Sequence, residues 1–169
     1  PETVSMRSYQ PSVKGHSGQV RKAARLLLNA KRPVIYAGGG VIQGEGSELL
    51  TELARKLNYP VTNTLMGLGA YPATDRQFLG MLGMHGTAYA NKAIVEADLI
   101  LNIGSRFDDR IIGQADKFGK DATIIHIDID AAEVGKMIVT DLQCVGDAKV
   151  VLTELNKHIS RLRSDDWLE

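Results

Sequence analysis

The run "GSRFDDR", residues 104–110, places Arg106, Asp108, Asp109 and Arg110 directly after the apolar stretch "DLILNI". A charge run is most often a solvated face. Led by glycine at the end of a buried strand, it is also a place where arginine can hold a phosphate while acids orient the arginine or accept ligand hydroxyls. Comparable positions recur along the chain. "VIYA" is followed by Gly38, Gly39 and Gly40, "PVT" by Asn63, Thr64, Leu65 and Met66, "IIHI" by Asp128 and Asp130, and "QCV" by Gly146 and Asp147. Each has a plain alternative. The glycines are either turn residues or bare backbone that lets N–H groups approach a diphosphate. Asp128 is either satisfied by backbone amides or a helix start, or it accepts from a ribose diol or an adenine amine. Asp147 has the same two readings, with capping of the last helix as its plain role. In "LGMHGT", Gly86 and Thr87 open a helix, as an N-cap or as an anion site. His85 has no nucleophile or metal-ligand partner at a recognisable spacing, which weighs against a catalytic base and against a metal site.

These positions need strands to carry them, and the pattern supplies strands. "RPVIYA", "YPVTNT", "DLILNIG", "ATIIHIDID" and "QCVGDA" are short apolar runs. Helical spacing marks Val20 to Leu28 behind a candidate N-cap at Ser17, Leu49 to Leu57 ending at Asn58, residues 86–97 capped by Thr87, and Val151 to Leu162. "LMGLGAYPATD" reads as a loop and "RFDDRIIGQADKFGKD" as a long connection. Alternating strands and helices, with strands apolar throughout, predict a doubly wound, Rossmann-like six-stranded parallel sheet with helices on both faces. In such a sheet ligands sit at the carboxyl ends of the strands. The nucleotide fingerprint itself is broken. Gly38 and Gly40 fit its first two glycines, but Gln43 holds the third position. No acid stands in "VTNT", about 20 residues further on, where ribose would be bound. An ordinary NAD-binding unit is disfavoured.

Composition narrows the class. The chain has 169 residues, 44% of them hydrophobic, with 20 basic and 20 acidic side chains. That suits one packed domain and gives no charge signature for nucleic acid or a membrane surface. One cysteine, Cys144, rules out an internal disulfide framework and points to a reducing, cytoplasmic setting. The expected organisation is an incoming linker over 1–16, one domain over 17–162 and an outgoing linker over 163–169. An opening Pro1 suggests a piece of a longer protein.

Taken in order, "PVIYAGGG", "YPVTNTLMGLGAYPATDRQFLGMLGMHGT", "GSRFDDR", "IIHIDIDAAEVGK" and "VGDA" resemble the central domain of the acetohydroxyacid (acetolactate) synthase catalytic subunit, from about Ser5 to Leu155. The resemblance implies a thiamine-diphosphate- and Mg2+-dependent transferase of branched-chain amino acid synthesis. It would condense two pyruvates, or pyruvate and 2-oxobutyrate, and its middle domain would bind FAD without an evident redox task. The implied partners are flanking domains, a dimer or tetramer of the parent and a regulatory subunit. The resemblance places Gly38, Gly39 and Gly40 by the FAD diphosphate and ribitol. Thr64, Leu65 and Met66 would line the flavin, and Leu82, Gly83, Met84 and His85 would continue along the cofactor. Gly104, Ser105, Arg106, Asp108, Arg110 and Ile111 would bracket it, and Asp128, Ile129, Gly146, Asp147 and Ala148 would lie at the adenosine end. Met84, His85, Asp109 and Arg110 would border the substrate channel.

Two departures stand out. Ser105 replaces the usual alanine or valine. "VGDAKV" has Ala148 where the thiamine motif has glycine, with no asparagine pair after it, and the family's activating glutamate belongs to its first domain. The implied thiamine and Mg2+ sites therefore lie outside this chain, which alone is expected to be inactive. The alternatives are a sister thiamine enzyme of the glyoxylate carboligase or pyruvate oxidase type, an NAD enzyme with a sirtuin-like or deoxyhypusine-synthase-like sheet, and a non-catalytic interaction or spacer domain whose "LMGLG" and "FLGMLGM" loops form an interface.

Overall fold

The computed structural model describes residues 6, 10–108 and 118–159. Its centre is a six-stranded, all-parallel sheet. The strands are β1 (Pro33–Ala37), β2 (Val61–Asn63), β3 (Phe78–Met81), β4 (Leu99–Ile103), β5 (Thr123–Asp128) and β6 (Leu142–Val145). Their spatial order is β3-β2-β1-β4-β5-β6, so the chain runs outward in one direction from β1 and then returns to build the other half from β4. This is the doubly wound order, and its switch point lies between β1 and β4.

Alternation along the strands divides the core in two. Ile35, Ala37, Leu101, Ile103, Ile125 and Ile127 face α1 (Ser17–Asn29), α3 (Ser47–Leu57) and α5 (Ala148–His158). Val34, Tyr36, Ile100 and Ile124 face the other way, toward Ile94 of α4 (Ala88–Glu96), Phe107 and Ile138. A five-residue helix, α2 (Gly39–Gln43), and a 3-10 turn (Leu65–Gly67) follow β1 and β2.

The expected elements are present, with α2 added, α5 ending at His158 instead of Leu162, and three further differences. Ser17 is the first residue of α1, and its N-cap is His16, which makes no side-chain cap bond. The sixth strand, β3, lies in the stretch read as an apolar loop. Gly80 sits inside it at φ +88° and its pairing with β2 shifts register, so it shows no period-2 signal. The chain is also tied to the body within the stretch read as a linker. Ser12 N–H donates to Ile129 O, and Asp147 N–H donates to Val13 O. Elsewhere the end signals behave as expected: Asn58 closes α3 in the left-handed region, and Thr87 accepts from Ala90 N–H to cap α4.

Candidate functional site

Glycine brings the loops at the switch point together. A Cβ on Gly38 would lie 2.1 Å from Gly104 O, one on Gly40 2.8 Å from Gly104 Cα, and one on Gly67 2.4 Å from Ala37 O. The loops after β1, β2 and β4 thus stack backbone on backbone. The N–H of Gly38 donates to Ile103 O and that of Gly40 to Gly104 O. Those two amides extend the β1–β4 pairing. The bare backbone at 38 and 40 serves close packing of the protein on itself, while a Cβ on Gly39 would meet Met66 Cβ and O at 3.2 Å.

Above this stack lies a cavity of about 840 Å³ along the carboxyl edge of the sheet. Its walls change character in the order of the strands. Beyond β3 and β2 they are apolar, formed by Met81, Leu82, Met84, Leu65 and Met66, with His85 and Thr64 beside them. At the switch point they are Gly39, Gly40, Gly104, Ser105, Arg106 and Asp108. Beyond β5 and β6 they are Asp128, Ile129, Asp130, Glu133, Gly146, Asp147 and Ala148. Five spacings of about 4.8 Å give such an edge roughly 24 Å of length.

Most sequence-predicted residues meet here. Gly38 and Gly83 stand behind the lining; Gly83 is held by Asn91, which both donates to and accepts from its peptide. Asp109, Arg110 and Ile111 lie outside the described residues. Gly86 and Thr87 do not line the cavity, and Thr87 is the N-cap of α4. Gln43, Gly44, Met81, Ile127 and Glu133 also line it, though the sequence did not single them out as ligand-facing. Gln43 lies one helical turn beyond Gly39 in α2. That spacing shows only once "GGVIQ" is known to be helical.

The charged side chains have distinct surroundings. Arg106 is exposed, at a position fixed by its neighbour: Phe107, φ +53°, is buried against Tyr36, Phe118 and His126. A left-handed phenylalanine is strained, and burial of its ring offsets that cost. Asp128 Oδ1 accepts from Asp130 N–H at 2.9 Å, and Oδ2 lies 4.0 Å from His126 Nε2. Burial raises the Asp128 carboxyl above its usual range; Asp130 and Glu133 add to this, against the hydrogen bond from the Asp130 amide. A carboxyl in that state gains from an incoming hydroxyl or amine donor. Asp147 caps α5 through Val150 N–H, its plain role, while facing the cavity. Thr64 Oγ1 accepts from Gly67 N–H. Among the described residues there is no cluster of three or more metal-ligating side chains.

Strand order and a cleft at the switch point make this a doubly wound α/β domain with an extended cavity along its carboxyl edge. Within that class, the chain belongs to the family of thiamine pyrophosphate enzyme central domains, whose model matches residues 20–155. Similar proteins include the acetolactate synthase large subunit of Haemophilus influenzae, 55% identical over 154 residues, covering 91% of this chain and 27% of that protein. The acetolactate synthase isozyme 3 large subunit of Escherichia coli is 48% identical over 161 residues, covering 95% of this chain and 28% of that protein. This chain thus spans little more than a quarter of the length of these relatives. An X-ray structure described as a thiamin diphosphate-dependent enzyme from Mycobacterium smegmatis superposes with a TM-score of 0.75 at 22% identity, over 96% of this chain and 31% of that one. It shares the fold.

Proposed function

We propose that this domain binds FAD across the carboxyl edge of its sheet, as the central domain of an acetolactate synthase large subunit. The observation that carries the reading is the ordered change in the cavity wall: apolar beyond β3 and β2, glycine and arginine at the switch point, acidic beyond β5 and β6. An extended dinucleotide with a ring system, a diphosphate and a ribose-bearing base has the same order of chemistry. Leu65, Met66, Leu82 and Met84 would take the ring, Gly39 and Arg106 the diphosphate, and Asp128 with Glu133 the hydroxyls and amine of the adenosine end. Arg110 and Ile111 would complete the bracket. In the net condensation the bound flavin has no redox task, so its contribution is structural. His85 and Met84, with Asp109 and Arg110, would border the path of substrate.

The parent would condense two pyruvates, or pyruvate and 2-oxobutyrate, using thiamine diphosphate and Mg2+ held outside this domain. The similarity to acetolactate synthase large subunits supports this, and Ala148 at the thiamine motif's glycine position agrees with it. The folded unit would run over 17–162, with residues 12 and 13 of the incoming linker paired to it, between flanking domains. The parent would be a cytoplasmic homo-oligomer with a regulatory subunit. No helix among the described residues is long and apolar enough to cross a membrane.

FAD titration followed by flavin fluorescence tests the proposal. Saturable quenching is expected, with Arg106→Ala and Asp128→Ala each weakening affinity about tenfold, the loss of one charge-assisted contact. Binding that neither substitution affects would remove the cofactor from this edge.

A further inference from the structure

Two asparagines reach up from the sheet to the walls of the cavity. Asn63, the last residue of β2, is fully buried, and its Nδ2 donates to Gly67 O at 2.8 Å. Asn102, the next to last residue of β4, is also fully buried, and its Nδ2 donates to Ser105 O at 2.7 Å. Asn63 is in register with Ala37 and Asn102 with Tyr36, so the two side chains leave opposite faces of the sheet. In both, the carboxamide oxygen is buried without a hydrogen-bond partner. An unsatisfied buried acceptor is costly, and a leucine, which has the same branching in a bulkier form, would avoid that cost. What the asparagine adds is a fixed orientation for one loop peptide. The Gly67 carbonyl also receives Ala70 N–H and sits in the turn that presents Leu65 and Met66. The Ser105 peptide lies between Gly104, whose carbonyl receives Gly40 N–H, and Arg106.

We propose that Asn63 and Asn102 are positioning residues for the ligand cavity, one clamping the turn that carries the apolar wall and the other the loop that carries Arg106. The proposal rests on the FAD reading only for its ligand readout.

Amide hydrogen exchange and FAD titration on the whole 169-residue chain test it together. Asn102→Leu is expected to speed exchange at the Gly40 amide at least tenfold, and Asn63→Leu at the Ala70 amide, while Leu101 and Ile125 in the sheet exchange as in the unmodified chain. FAD affinity is expected to fall at least fivefold in each. Asn102→Asp keeps the shape but loses the donor while ionised. Its FAD affinity and Gly40 protection, each relative to the unmodified chain at the same pH, should recover as pH falls and the carboxyl regains a proton. Exchange unchanged at Gly40 and Ala70, uniform acceleration at every amide, or loosened loops with undiminished FAD affinity would each overturn the proposal. Loosened loops in the variants, with no FAD binding by the unmodified chain, would uphold the clamps and overturn the FAD reading.

Discussion

His126 shows how much a single side chain can be changed by its place in the sheet. Thr62, Tyr36, Asn102, His126 and Gln143 are in lateral register, forming a polar row across five strands beneath the cavity. His126 is buried edge-on against Phe107. Burial pushes its imidazole down to about 4, although the Ser105 backbone and Glu133 favour the charged form. The folded state therefore resists a proton that the unfolded chain accepts near pH 6.5. The contribution to stability is complete above that pH and is lost as pH falls toward 4. At pH 5 the loss is about 2 kcal/mol. The raised Asp128 carboxyl works in the opposite direction at the acid end of this range. Urea midpoints at pH 7.5 and pH 5 check the prediction: the unmodified chain should lose stability on acidification, and His126→Leu should lose much less. The sequence marked Asp128 at the end of an apolar strand and passed over His126 inside it. It did not show that His126 would lie between β4 and β6 under the ring of Phe107, because enclosure depends on which strands become neighbours.

At the scale of elements, the glycine stack separates two roles that look alike in "AGGG". Gly38→Ala would force a methyl group onto the Gly104 carbonyl in a packed core and should destabilise the domain by about 2 kcal/mol or more. At Gly39 the nearest atoms are Met66 Cβ and O at 3.2 Å, a much milder contact than at Gly38. Gly39→Ala should therefore stay within about 1 kcal/mol of the unmodified chain while weakening FAD binding. Thermal unfolding and flavin fluorescence on both variants would show whether stability and binding separate in this way. Helices with clear ends were legible: Leu49 to Leu57 with Asn58, and the Thr87 cap, rest on local chemistry. β3 was not, because a short strand at the sheet's edge with Gly80 inside it takes its conformation from its partner β2. The left-handed backbone of Phe107 was equally hidden, since it is held by contacts distant in sequence.

At the scale of the whole molecule, strand order turns scattered motifs into one site. The sequence located nearly every loop that lines the cavity, because each motif follows an apolar run. Their order around the edge depends on the reversal after β3, which no local pattern records. Leu65, Met66 and Met84 are 66%, 75% and 74% exposed beside the cavity. If they take a flavin ring, FAD should slow peroxide oxidation of Met66 and Met84 severalfold, as read by peptide mass spectrometry. Protection that appears only with rising protein concentration would mark this wall as an interface between copies instead. The reversal has a mechanical side as well. The chain from β1 to β3 builds one half of the sheet and the chain from β4 to β6 the other, and the two are joined edge to edge only along β1 and β4. The cavity straddles that seam. A molecule lodged there holds both banks at once, so its affinity becomes resistance to their parting, growing with concentration as RT ln(1 + [L]/Kd). Drawn apart across this seam, the two banks would resist more when the cavity is filled than when it is empty.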